Sequence, residues 1–198
     1  MATPLGILTF QKAIRGGVRP NLFAVSHNFP VGAGGLTAPN IAGVENGGEV
    51  TYMCKSAALP ATNVGTVELP FRGRVIKVPG DRTYETWTAT FYVDDAFKLR
   101  GAYEKWIELV NAVDQNTSSV ADLGGAYFQD VVIEQLHKFN GGDDLQTIQT
   151  YTLASAWPVS VGQISVAYDN NDSFEEFDVE FAYQYHTSDA VGTKSTSK

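Results

Sequence analysis

Residues 59–106 read LPATNVGTVELPFRGRVIKVPGDRTYETWTATFYVDDAFKLRGAYEKW, and this block decides the fold. A hairpin with a basic tip, a Thr-rich strand and one amphipathic helix follow each other without a break. From Tyr84 to Val93 the alternation is strict: Trp87, Ala89, Phe91 and Val93 share one face, Thr86, Thr88, Thr90 and Tyr92 the other. β-branched Thr suits a pleated surface while staying wettable. Asp94 or Asp95 is placed to cap the helix that follows, expected over about 95–113. Leu99, Tyr103, Trp106, Val110 and Val113 recur at steps of four and three, the mark of a buried stripe. Upstream, 64–69 and 71–78 are expected as strands joined or bent at Pro70, with a turn at Pro79-Gly80-Asp81.

Strands are expected on both sides of this block. Residues 20–31 place Leu22, Ala24, Ser26 and Asn28 opposite Phe23, Val25, His27 and Phe29, so both faces are partly apolar. A Gly-rich loop over 32–48 leads to a strand over 49–57 that Pro60 ends. After a polar loop over 114–126, strands at 127–139 and 145–156 flank the turn Asn140-Gly141-Gly142-Asp143. Beyond a break at Trp157-Pro158, strands at 163–168 and 174–186 flank Asp169-Asn170-Asn171-Asp172. In the last strand Phe177, Val179, Phe181, Tyr183 and Tyr185 face inward, while Glu176, Asp178, Glu180 and Gln184 face outward. Residues 1–19 form an N-terminal segment, 20–186 one domain, and 187–198 a loose polar tail. The fold class is mainly β: a barrel or sandwich of antiparallel strands with one flanking helix.

The chain of 198 residues is long enough for a real core, and 43% hydrophobic residues supply one. No apolar run reaches the roughly 18 residues of a membrane-spanning helix, and the N-terminus does not read as a secretory signal. A lone Cys54 excludes an internal disulfide and a Cys-based zinc site. Both facts suit assembly in a reducing cytoplasm. The net charge of −8 is uneven: residues 1–60 balance to +2, 61–113 to zero and 114–198 to −10. Tight nucleic-acid binding needs the opposite bias, because its affinity comes from cations replacing counterions on phosphates.

Catalytic and ligand-binding readings fail on context. Gly32-Ala33-Gly34-Gly35 lacks the Gly-Lys-Ser/Thr ending of a phosphate loop, and no helix pattern follows it. His27, His137 and His186 lie far apart, without a second ligand at metal spacing, and are expected at a barrel edge or surface. Asp94-Asp95, Asp143-Asp144 and Glu175-Glu176 are adjacent pairs, which point to opposite sides of an extended chain. Asn116-Thr117-Ser118 matches a glycosylation sequon without a secretion route. Cys54 has no base partner and reads as a buried structural thiol. No catalytic residue, cofactor or metal is expected.

The charged hairpin is different. Arg72 and Arg74 are placed on one strand face and Lys77 on the other, with Asp81 and Arg82 after the turn. A solvated hairpin with ordinary surface ion pairs, each worth about 0–1 kcal/mol, would carry such residues. So would a repeated docking contact whose complementary charges fix register.

The Leu59–Ala61 entry, Arg72-Gly73-Arg74, Lys77–Arg82 and the helix with Trp106 together resemble the tail tube proteins of contractile-tailed bacteriophages, of the myovirus type. The likeness runs from about Pro20 to His186 and is strongest over 59–106. The tubes of type VI secretion and of tailocins are more distant likenesses. The resemblance implies homohexameric rings stacked helically into a hollow tube. A contractile sheath lies outside, a baseplate and tail terminator at the ends, and DNA passes through without tight binding. It implies no membrane insertion by this chain. Within it, Arg72, Arg74, Lys77, Asp81 and Arg82 become a ring-stacking hairpin, and Glu176, Asp178 and Glu180 an acidic surface facing lumen or sheath. Leu99, Tyr103, Trp106 and Val110 remain the core stripe of the helix. The alternatives are the inner tube of a DNA-free injection particle and, from another class, a split-barrel cofactor-binding protein or a carbohydrate-binding sandwich.

Overall fold

The computed structural model describes residues 6–14, 17–30, 48–114, 127–137, 145–169, 171 and 173–190. The elements are α1 (Ile7–Ile14), β1 (Phe23–His27), α2 (Gly48–Met53), β2 (Cys54–Ala57), β3 (Asn63–Phe71), β4 (Arg74–Thr83), β5 (Trp87–Tyr92), α3 (Lys98–Val110), β6 (Gln129–His137), β7 (Gln146–Val161), β8 (Glu176–Ala182) and β9 (Tyr185–Ala190). Every strand pairing is antiparallel. The long strand β7 is the spine. Its first part lies between β6 and β9, and Trp157–Val161 pairs with β8. Two four-stranded ribbons, β1-β6-β7-β9 and β7-β8-β5-β2, therefore share one strand. The bend between them falls at Ser155, whose φ of 53 is left-handed. Its amide donates to Asp130 Oδ1 at 2.9 Å, so the group turned out of the ladder keeps a partner.

The sheet is open. Its end strands are β1 and β2, and no pairing joins them among the described residues. The short helix α2 touches both, and the Thr51 hydroxyl donates to the Val25 carbonyl at 2.9 Å.

The inner faces form one core. Trp87, Ala89 and Phe91 of β5 and Phe177, Val179 and Phe181 of β8 are buried together with Val25, Val131, Ile133 and Leu153. From α3, Leu99, Ala102, Tyr103 and Trp106 are buried, and Val110 packs on the rim. Each large apolar side chain buried this way is worth about 1.5–3 kcal/mol. Asp94 caps α3, accepting from the Lys98 and Leu99 amides at 3.1 and 3.2 Å. Cys54 is buried, and desolvation pushes its thiol up to about 12.

Several sequence expectations change. Residues 49–57 are not one strand: Val50 and Met53, three apart, turn one side of α2 inward, and β2 begins at Cys54. The main helix starts at Lys98, because the Phe97 amide closes a turn on the Asp94 carbonyl first. It ends at Val110, where Asn111 becomes extended, so Val113 is exposed instead of extending the stripe. Trp157-Pro158 does not break β7, which runs through it at the bend. Residues 163–168 form no strand. The expected strand 174–186 is β8 followed by β9; both run along the same edge of β7, and Tyr185 is exposed. Thr187–Ala190 belong to β9, not to a loose tail. Helices α1 and α2 were not expected. Of the loop expected over 32–48, residues 32–47 lie outside the described residues and Gly48 begins α2; most of the loop at 114–126, the turn at 140–143 and the sequon lie outside the described residues as well.

His27, expected at a barrel edge or surface, sits on the edge strand β1 and is buried. Its Nδ1–H donates to the Asn28 carbonyl at 3.2 Å, and its Nε2 accepts from the Tyr103 hydroxyl at 2.7 Å. Phe29, Tyr103, Trp106 and Phe181 surround the ring. Burial holds its pKa down at about 4, against 6.5 when free. The unfolded chain thus takes up the proton first as pH falls, and stability present above pH 6.5 is lost between there and pH 4. The loss is about 3 kcal/mol. Denaturant melts across that range should show it, and His27→Gln should remove most of this pH dependence. An unchanged slope in the variant would assign the acid sensitivity to other groups.

Candidate assembly surfaces

Among the described residues the hairpin of β3 and β4 pairs only with itself. At about 3.3 Å per residue, the ten residues of β4 make an arm roughly 30 Å long. Its turn is Arg72-Gly73, with φ of 48 and 80, the paired positive values of a type I′ turn. The turn expected at Pro79-Gly80-Asp81 is instead a bulge inside β4, opposite Gly65. A Cβ on Gly80 would meet the Gly65 carbonyl oxygen at 3.2 Å, so close backbone approach explains this glycine. Pro70 and Pro79 are tolerated because both strands have a free edge.

Moving the turn reassigns the faces. Cross-strand partners share a face, so Val67, Leu69 and Phe71 lie beside Val78, Ile76 and Arg74. That face carries five large apolar residues, each between 39% and 59% exposed. The opposite face holds Glu68, Pro70, Val75 and Lys77, with Lys77 and Glu68 at 3.6 Å as an exposed ion pair. Arg72 is in the tip, not on a strand face with Arg74, and its guanidinium stands over the Phe71 ring at 5.4 Å. Asp81 and Arg82 lie at the base, away from that tip. The structure thus brings Arg72 and Arg74 together and separates them from Lys77, Asp81 and Arg82. The apolar face is the feature the charges concealed. Its signal was the period-two run Val67, Leu69, Phe71 and Ile76, Val78.

The second surface is the outer side of β5 and β8. Glu176, Asp178 and Glu180 are exposed in a row and sit opposite Tyr92, Thr90 and Thr88. The Thr90 hydroxyl donates to Asp178 Oδ1 at 2.7 Å, and the Ser160 hydroxyl to Glu180 Oε2 at 3.2 Å. Lys55 pairs with Glu176, whose carboxylate raises the lysine pKa. Strand spacing sets the Cα atoms of alternate residues in this row about 7 Å apart. Among the described residues no group of three or more His, Cys, Asp or Glu is placed to hold a metal. A flat, polar, negative wall with an apolar back is what remains.

Among the described residues the arm pairs with no other strand, and it is attached to an open antiparallel sheet. The model of the phage tail tube protein family matches residues 18–189. The chain belongs to that family. Among curated proteins similar to the chain, the tail tube protein gp19 of Enterobacteria phage T4 is 29% identical over 157 residues, 77% of this chain and 92% of that protein. The tail tube protein of Serratia phage KSP90 is 28% identical over 141 residues, 71% and 76% of the two chains. In fold, the chain aligns with a chain of the anti-feeding prophage baseplate at a TM-score of 0.58 and 14% identity, covering 98% of this chain and 100% of that one. It also aligns with a chain of the PVC sheath-tube complex of an extracellular contractile injection system, with a TM-score of 0.55 and 18% identity, covering 92% and 98%. These tail tube relatives make the chain a structural tail subunit of a virion.

Proposed function

We propose that copies of this chain join side by side into hexameric rings, and that the rings stack into a hollow tube inside a contractile sheath, through which DNA leaves the virion. Baseplate and terminator proteins would bound the tube, and assembly would take place in the host cytoplasm. The role asks for no catalytic chemistry. The observation that carries the reading is the unpartnered hairpin, whose apolar face is costly to leave in water. Open strand edges add to it: among the described residues nothing pairs with the outer edges of β2 or β9, and a ring closing edge to edge would cover such groups. The top and bottom of a ring differ, so stacking is heterologous and grows a filament. Negative-stain microscopy of the purified protein tests this directly. Rings or tubes with a central hole support it; small featureless particles at all concentrations would overturn it.

The wall of Glu176, Asp178 and Glu180 is assigned to the bore. Negative walls repel phosphates over a Debye length of about 8 Å at physiological salt, which lets DNA slide. Changing all three to Lys should leave tubes that retain added DNA. Each phosphate neutralised adds about 0.9 to the slope of log affinity against log salt. Tubes of the triple variant that bind no more DNA than wild type would place this wall against the sheath instead.

A further inference from the structure

The arm joins the body through two short tethers, residues 58–62 and 84–86, which belong to no strand. Each ribbon holds them at a different point. From β5, the Trp87 indole N–H donates to the Ala58 carbonyl and fixes where the first tether begins. From β9, His186 Nε2 and the hydroxyl of Thr62, the residue before β3, are hydrogen-bonded at 3.0 Å. Tyr84, the residue after β4, stands edge-on to the His186 ring at 5.4 Å. Tyr183 completes the group, 5.8 Å from the Tyr84 ring and 6.1 Å from His186. The tethers are also tied to each other, since the Asn63 side-chain amide donates to Glu85 Oε1 at 2.9 Å. His186 thus touches both tethers at once. Its ladder partner is Leu153 of β7, two residues before the left-handed Ser155 where the sheet bends.

Two features make this contact releasable. His186 Nδ1 is buried with no hydrogen-bond partner among the described residues, which opposes the closed arrangement. A cavity of about 200 Å³ lies beside the first tether, walled by Leu59, Pro60, Ala61, Trp87 and Tyr183, and leaves it room to move. The geometry points to a clasp: His186 closes on Thr62 and Tyr84 and sets the direction of the arm, and opening it lets the arm swing about the two tethers. An edge-to-face ring contact and a hydrogen bond to an exposed hydroxyl are each weak, so together they hold an angle without adding to the core. His186 is therefore a positioning residue for the arm. The clasp acts at the root and leaves the outer ribbon unsupported. It is a property of the single subunit and stands whether or not copies assemble.

Pulsed electron paramagnetic resonance on spin labels at Lys77→Cys and Lys105→Cys tests it, at concentrations below assembly and with Cys54 buried and silent. Lys77 is six residues before Thr83, about 20 Å up the arm, so a swing of about 20° moves its label by about 7 Å. His186→Ala and, separately, Thr62→Val should each widen the distance distribution by about that amount. Urea melts of Thr62→Val should match the parent, because the clasp lies outside the core. His186→Gln, whose side-chain amide can still meet the Thr62 hydroxyl, should stay closer to the parent width. Parent-like widths in both His186→Ala and Thr62→Val would overturn the clasp, since valine keeps the shape of threonine and loses only the hydroxyl. Widening in His186→Ala alone, with a lowered urea midpoint, would overturn it too, because the histidine would then serve the fold and not the direction of the arm.

Discussion

Trp106→Ala lowers the stability of the folded subunit by about 3–5 kcal/mol. Trp106 is 1% exposed and stacks on Tyr103 at an interplanar angle of 11°. Its ring also meets His27, Phe29 and Phe181, so both ribbons lean on it through α3. The indole N–H donates to the Tyr127 carbonyl at 2.8 Å, the point where the chain enters β6. Alanine would leave a cavity that strands on two sides cannot collapse into, and a carbonyl without its donor. Against a typical total of about 5–15 kcal/mol, this is about a fifth or more of what holds a domain together. Urea midpoints at protein concentrations below assembly measure it, and Trp106→Phe, which keeps most of the volume, should lose clearly less. A loss under about 1 kcal/mol for the alanine variant would show that α3 is not the keystone described.

The second large effect separates folding from assembly. Leu69 and Ile76 face each other across the hairpin ladder, and both are 51% exposed. Replacing both with Asp should leave the unfolding free energy from urea melts within about 0.5 kcal/mol of wild type, since the arm does not contribute to the core. Tube formation should nonetheless collapse. Two apolar groups lost and two carboxylates desolvated cost about 3 kcal/mol or more per contact, over about a hundredfold in association. Lys77→Gln, on the other face, should assemble nearly normally, because an exposed ion pair is worth about 0–1 kcal/mol. Tubes of ordinary length from the double aspartate variant would remove the hairpin from the assembly contact.

The faces of β5, β8 and α3 were legible because each alternates strongly between apolar and polar positions over a whole element. Trp87, Ala89 and Phe91, then Phe177, Val179 and Phe181, all point where the pattern says. Helix α2 was not legible. Six residues hold too few turns for a period to emerge, and GEVTYM fits a strand equally well. Pro158 misled because proline usually ends a strand, and here β7 is already bending. The alternation of Ile164, Val166 and Tyr168 promised a strand, but among the described residues no strand pairs with it. In the hairpin, Pro-Gly-Asp is a stronger local turn signal than Arg-Gly, and it was outvoted by the pairing of Gly65 with the Gly80 bulge. The charges of the site were visible throughout. Its apolar face was not, since a displaced turn sends residues to the wrong side.

The independence of the arm has a kinetic corollary. A two-stranded ribbon with no support is marginally ordered in water, so its ordering cost falls due at the moment of joining. Two free monomers must both meet that cost with little gained, whereas a monomer arriving at a finished end finds a rigid template. Polymerisation should therefore begin with a lag, and sheared fragments added as seeds should abolish it, as light scattering would record. Spontaneous growth stays rare until something starts it.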